Sequence, residues 1–214
     1  MGMAPPSNSA AKASWRTEVR RKRADRTGCG SEFAHQLAEA LAESRVLVAY
    51  AALAGEPDLD QALDAARAAG KQVLLPTTHP GEPLRFGVLE SPMAELPRVG
   101  TWQIRQPEPT LSAAEALAGT GASSAGDRLP APVDTILVPG LSFSPAGWRL
   151  GNGGGFYDRT FGPLGAAPVA GTGIRVFGIC YHDEIVDELP RDDWDLRVGS
   201  IVTERSTVPT VDAD

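Results

Sequence analysis

Cysteine, lysine and long apolar runs are all scarce in this sequence, and each scarcity excludes a class of protein. Only two cysteines occur in 214 residues, Cys29 and Cys180. They lie far apart, outside any CxxC and without a histidine cluster beside them, so neither a disulfide scaffold nor a zinc or dithiol site is expected, and both read as reduced thiols. No run of about 18 apolar residues exists, as a membrane-spanning helix requires. The first residues lack the apolar stretch of a secretory signal, which makes a cytoplasmic address the expectation. Lysine stands only at positions 12, 22 and 71, so 17 of the 20 basic residues are arginine.

What is present falls near the globular average, with 42% hydrophobic and 22% charged residues. That composition excludes disordered, fibrous and membrane classes, and the length suffices for one well-buried core. The net charge of −7 argues against a general polyanion binder. The charge is unevenly placed. Residues 1–30 carry seven basic side chains against Glu18 and Asp25, whereas the remainder carries 13 against 25 acidic ones.

Residues 1–11 read as a disordered lead. Lys12, Arg16, Arg20 and Arg23 then recur with the period of one helix face, as either a solvated stripe or an anion-binding one. Ser31 opens a second amphipathic helix through Phe33, Leu37 and Leu41. The apolar run at 45–51 reads as a buried strand, followed by a helix with Asp58 as N-cap candidate and Gly70 at its end, and by a second strand at 71–76. Further strands are expected at 85–89, 135–140, 175–181 and 199–204. A strand–helix–strand unit within about 30 residues predicts an α/β fold: a single-domain, doubly wound, mostly parallel sheet with helices on both faces, over 12–206, and a short tail at 207–214. Small-residue stretches at 119–132 and 162–173 read as mobile surface loops.

Chemistry concentrates between Leu137 and Arg159. A strand ending in Val138-Pro139-Gly140 is followed by five glycines, at 147, 151, 153, 154 and 155, before an expected helix start at Phe156. Exposed glycine N–H groups at the carboxyl end of a parallel strand favour phosphate oxygens, and Arg149 adds a planar donor fork. The pattern is neither a Walker loop, lacking Gly-Lys-Ser/Thr, nor a dinucleotide fingerprint, since Phe156 stands where the third glycine would be. As a pattern alone it also fits a flexible turn.

At these residues the sequence resembles the 5-formyltetrahydrofolate cyclo-ligase family, whose signature reads roughly PG-x-x-F-x-x-x-G-x-RLG-x-G-x-GYYDR. The matching text is Pro139-Gly140, Phe143, Gly147, Arg149-Leu150-Gly151, Gly153, Gly155 and Phe156-Tyr157-Asp158-Arg159. The likeness extends to the basic first helix, to Gly70–Pro76, to Trp102-Gln103-Ile104 and to Leu189-Pro190 through Thr203-Glu204.

The resemblance implies ATP-driven cyclisation of 5-formyltetrahydrofolate to 5,10-methenyltetrahydrofolate, with Mg²⁺ as cofactor and release of ADP and phosphate. It implies nucleotide contacts from Lys12, Arg16, Arg149, Leu150, Gly151, Asn152, Gly153, Gly154, Gly155, Phe156 and Tyr157, with Arg149 and Tyr157 in catalytic roles. Asp158 and Asp195 would hold the metal, and Tyr50, Glu56 and Trp102 the folate. On the residues alone Tyr50 also fits a core aromatic, Glu56 a loop acid and Trp102 a rim residue.

The expected partners are these small molecules, with no nucleic acid and no membrane, acting on a monomer. A non-catalytic relative that binds folate, nucleotide or RNA through the basic head is the competing expectation. Gly154, Asn152 and Phe156 depart from the family's usual text. The spacing from Tyr50 to Glu56 is one residue longer, which makes Asp58 and Asp60 alternatives to Glu56.

Overall fold

Val46, Leu47 and Val48 are fully buried, as three consecutive apolar residues must be where a strand is covered on both faces. They form the inner strand of a computed structural model that describes residues 8–26, 28–100, 102–122, 126 and 128–211. The chain runs α1 (Asn8–Arg23), α2 (Gly30–Ala40), β1 (Val46–Val48), α3 (Asp60–Ala68), β2 (Gln72–Thr77), β3 (Arg85–Val88), β4 (Arg98–Val99) and β5 (Ile104–Arg105). It continues through β6 (Leu111–Ser112), α4 (Ala113–Ala118), β7 (Thr135–Pro139), β8 (Ser142–Phe143), β9 (Arg149–Leu150), α5 (Phe156–Phe161), β10 (Arg175–Ile179), β11 (Ser200–Val202) and β12 (Thr207–Pro209).

Eight strands make one sheet in the order β12-β11-β10-β7-β1-β2-β3-β6. The inner pairs from β11 to β2 are parallel, and β12, β3 and β6 add antiparallel edges. Side chains alternate across the sheet: Leu47 and Leu137 pack with Phe33, Leu37 and Leu63 from α2 and α3. Val46, Val48, Ile136 and Val138 pack on the other face with Ala116 of α4 and Phe161 of α5. This is the expected doubly wound, mostly parallel architecture with helices on both faces. From β1 the chain winds one way to β2, and from β7 the other way to β10 and β11, so a topological switch point lies between β1 and β7.

The details correct several expectations. The first helix begins at Asn8, so residues 8–11 are helical, and residues 1–7 lie outside the described residues. Residues 207–209 pair with β11 instead of trailing as a tail, and 212–214 lie outside the described residues. Asp58 closes a turn one residue early: its Oδ1 accepts from the N–H of Asp60, while Leu59 occupies the cap position. Ser31 lies inside α2, which starts at Gly30. The 162–173 segment buries Ala167 and Val169 in the core and so is no mere surface loop. In 119–132, Leu129 is buried, and 123–125 and 127 lie outside the described residues. Among the described residues no helix is long and apolar enough to cross a membrane.

Candidate active site

Beyond the carboxyl ends of β1 and β7 two clefts meet. The first is lined by Tyr50, Glu56, Trp102, Arg149, Tyr157 and Asp158, with Leu53, Pro76, Leu84 and Ile104 supplying apolar surface. Lys12, Arg16, Leu150, Gly153, Asp192 and Asp195 line the second. Arg149, Gly151, Gly155 and Asp158 line both, so the 151–155 loop is a wall between them.

The β8–β9 hairpin carries Arg149 to this junction. Its Nη2 donates to Asp158 Oδ1 at 2.8 Å and its Nη1 to the Pro139 carbonyl at 3.3 Å. Its guanidinium stands 5.5 Å from the centre of the Tyr157 ring. Its Nε is buried with no hydrogen-bond partner. An unmet buried donor costs about 1–3 kcal/mol, a cost that an incoming oxygen would relieve.

Two glycines of the loop, Gly153 and Gly155, have positive φ. Gly153 has φ +102°, a conformation L side chains rarely adopt. A Cβ on Gly154 would stand 2.8 Å from the Phe156 ring, so with any other residue at 154 that ring would have to shift. The Arg159 guanidinium lies 5.3 Å from the centre of the same ring.

The basic stripe of α1 is spent on the protein itself. Lys12 Nζ donates to Asp192 Oδ2 at 2.7 Å and Asp195 Oδ2 at 2.6 Å. Arg16 Nε donates to the Gly151 carbonyl at 2.9 Å, and Arg20 to the Asn152 carbonyl at 2.8 Å. Arg23 bonds Glu184 and the Gly140 carbonyl. The stripe thus seats α1 on the glycine loop. Burial pulls the Lys12 ammonium down, yet its two carboxylate partners outweigh that and hold its pKa above the ordinary value.

The two carboxylates expected at a metal face the same cleft. Burial pushes the Asp158 carboxyl up, but the Arg149 charge and the Leu196 N–H hold it below its usual range. Asp195 Oδ2 accepts from Lys12 and from the Asp192 N–H at 2.8 Å. Among the described residues no group of three or more His, Cys, Asp or Glu side chains forms a metal cage. Two carboxylates beside a phosphate-type cleft nevertheless fit Mg²⁺, which commonly takes one or two carboxylates and completes its shell with water and phosphate oxygens.

In the first cleft Glu56 Oε2 accepts from the Leu53 N–H at 3.0 Å and Oε1 from Asn152 Nδ2 at 2.8 Å. Burial raises its pKa, against the Leu53 N–H, Arg23 and Asn152. Despite the longer spacing, Glu56 lines the cleft and neither Asp58 nor Asp60 does. The alternatives are engaged elsewhere, Asp58 with the Asp60 N–H and Asp60 with Arg105. The Tyr50 hydroxyl donates to the Pro57 carbonyl at 3.0 Å, so its buried ring both packs and lines the cleft. Trp102 is 64% exposed at the rim. Burial raises the Tyr157 phenol well above its usual range, leaving it a neutral donor at ordinary pH.

The structure divides the expected nucleotide residues. Lys12, Arg16, Leu150 and Gly153 line the second cleft, while Asn152, Gly154, Phe156 and Tyr157 line the first. Sequence reasoning missed Asp192, although its place three residues before Asp195, where one lysine can bridge both, was a readable signal.

The match to the 5-formyltetrahydrofolate cyclo-ligase family model covers residues 8–204. The 5-formyltetrahydrofolate cyclo-ligase of Mycolicibacterium smegmatis is 28% identical, over 75% of this chain and 74% of its own. The enzyme of that name from Escherichia coli K12 is 29% identical, over 70% and 72%. The structure of Aquifex aeolicus 5,10-methenyltetrahydrofolate synthetase superposes with a TM-score of 0.69 at 26% identity, covering 95% of this chain and 94% of that one. With a signature segment at the switch point and a family match across nearly the whole described fold, this chain belongs to the 5-formyltetrahydrofolate cyclo-ligase family.

Proposed function

We propose that the protein is a cytoplasmic, monomeric ligase that cyclises 5-formyltetrahydrofolate to 5,10-methenyltetrahydrofolate at the expense of ATP, with Mg²⁺, releasing ADP and phosphate. The observation that carries this reading is that two chemically different clefts open onto one Arg149–Asp158 pair. A two-substrate reaction gains most of its rate from holding both reactants at a single point. Both clefts are lined by one chain, so the scheme needs no second copy.

The obstacle is a formyl oxygen that leaves poorly. It attacks the γ-phosphorus, forming an O–P bond as the bond to ADP breaks. N10 of the same folate then attacks the formyl carbon. The C–O bond breaks with phosphate as leaving group, and the N10 proton departs, giving the methenyl cation. No side-chain nucleophile is needed; the protein positions and neutralises.

Arg149, at the junction and with an unmet Nε donor, is suited to the transferring phosphoryl group. Lys12, Arg16 and the N–H groups of Gly151, Gly153 and Gly155 are suited to the remaining phosphate oxygens. Lys12 and Arg16 are held by Asp195 and the Gly151 carbonyl, so phosphate binding exchanges those partners. Asp158 and Asp195 are the residues to hold Mg²⁺, which when bound neutralises phosphate charge. Glu56 accepts hydrogen bonds from the pterin N–H groups, Tyr157 donates, and Trp102 offers a stacking face.

Purified protein incubated with 5-formyltetrahydrofolate, ATP and Mg²⁺ is expected to generate the near-ultraviolet absorbance of the methenyl product. A folded sample giving no rise would overturn the reading.

A further inference from the structure

Among the described residues two tryptophans are exposed, Trp102 at 64% and Trp194 at 54%, and each stands at the rim of one cleft. Trp102 faces the apolar cleft assigned to the folate. Trp194 faces the cleft of Lys12, Arg16 and Gly153, and nothing in the scheme so far uses it.

The turn that carries Trp194 is clamped. The Asp195 N–H donates to the Asp192 carbonyl at 3.0 Å, and the Asp192 N–H to Asp195 Oδ2 at 2.8 Å. Lys12 Nζ bridges both carboxylates, and Asn8 Nδ2 donates to Asp192 Oδ1 at 3.0 Å. The core does not need this indole, because Leu196, two residues on, is the apolar side chain of the turn that is buried, at 2% exposure. A large rigid ring is thus presented half in water, at a fixed distance along the chain from the residues suited to phosphate. Each proposed substrate contains one fused bicyclic heterocycle with a flat pyrimidine ring, and each cleft has one exposed indole at its mouth.

The geometry points to Trp194 as the platform on which the purine of the nucleoside triphosphate stacks. This rests on the nucleotide reading of the second cleft and adds where the base sits. Every base has a π-face, so such a platform supplies affinity without choosing the base; base–aromatic stacking typically contributes about 5- to 150-fold by alanine substitution.

Binding of ATP and of inorganic tripolyphosphate, each with Mg²⁺, is to be measured by calorimetry on the wild type, Trp194→Ala and Trp194→Phe. Because the ring is exposed, thermal melting of both variants should match the wild type. Trp194→Ala is expected to weaken ATP about tenfold, with tripolyphosphate unchanged; Trp194→Phe should retain most of the ATP affinity. An ATP affinity within twofold of wild type in Trp194→Ala would overturn the platform while leaving the nucleotide reading intact. Equal weakening of tripolyphosphate would overturn it too, since the ring would then only shape the phosphate cleft. A wild type that binds neither probe overturns both readings.

Discussion

Arg149 Nη2 stands 2.8 Å from Asp158 Oδ1, and these two residues line both clefts. The donor proposed for the phosphoryl group and the carboxylate proposed for its counter-cation hold each other. Lys12 and Asp195 repeat the arrangement at 2.6 Å on the second cleft. Buried charges are costly unless paired, so the chain carries the reactive charges as internal pairs that an anion and a cation together can separate without leaving either stranded.

Asp158→Asn therefore tests two properties at once. The Arg149 side chain is 4% exposed and loses its ion-pair partner, which should destabilise the fold by roughly 2 kcal/mol, a fall in Tm of about 4–8 °C for a chain of this size. Mg²⁺-dependent turnover should fall by about 100-fold or more. Thermal melts and assays at saturating Mg²⁺ check both, and undiminished turnover would remove Asp158 from the metal role.

Glu56→Gln separates folate binding from stability. Because burial raises the Glu56 pKa above its ordinary 4.5, the folded state favours the protonated acid. The stabilisation from this group is fully present below about pH 4.5 and is lost as pH rises through the folded value. At neutral pH the glutamine variant should melt above the wild type, with the advantage shrinking as pH falls. Its KM for the folate should rise about tenfold from the lost charge-assisted bonds, with little change in KM for ATP. A lower Tm at neutral pH would contradict the sign.

The fold was legible because its signals are local and redundant. The strands at 46–48, 135–139, 175–179 and 200–202 lie inside the runs that marked them, and the one at 72–77 overruns its own by one residue. The strand at 85–88 was equally visible, but its antiparallel direction was not, since direction is set by the short connection from β2. The signature segment located the junction. What it hid was the division of labour along the loop: Gly153 lines only the second cleft, Asn152, Gly154, Phe156 and Tyr157 only the first, and Gly151 and Gly155 both, and a motif has no sides. The partners of the basic stripe were hidden for a related reason: helical period shows that Lys12, Arg16, Arg20 and Arg23 share a face, but the carboxylates and carbonyls meeting that face come from 140–195, far away in sequence.

Arg23 and Glu184, 5% and 2% exposed, form the buried pair that ties α1 to the end of β7 through the Gly140 carbonyl. Arg23→Met should cost about 3–5 kcal/mol, because it strands a buried carboxylate. Adding Glu184→Gln should recover part of that loss. Denaturant titration of the two single variants and the double variant checks this, and strictly additive losses would contradict it.

Gly153→Ala places a side chain at φ +102°, with its Cβ 3.5 Å from Arg16 Nε. Strain of about 1–3 kcal/mol is expected in the loop between the clefts. KM for ATP should rise more than KM for the folate, since residue 153 lines only the second cleft. Steady-state kinetics with each substrate varied in turn checks this, and an equal rise in both would contradict the division of the loop.

The central claim, that the formyl oxygen leaves on phosphorus at the junction of the two clefts, is tested by 5-formyltetrahydrofolate labelled with oxygen-18 in the formyl group. After turnover with unlabelled ATP and Mg²⁺ in ordinary water, the account predicts one labelled oxygen in each phosphate released, detected by mass spectrometry. Phosphate free of label, or methenyl product formed without ATP cleavage, would contradict it.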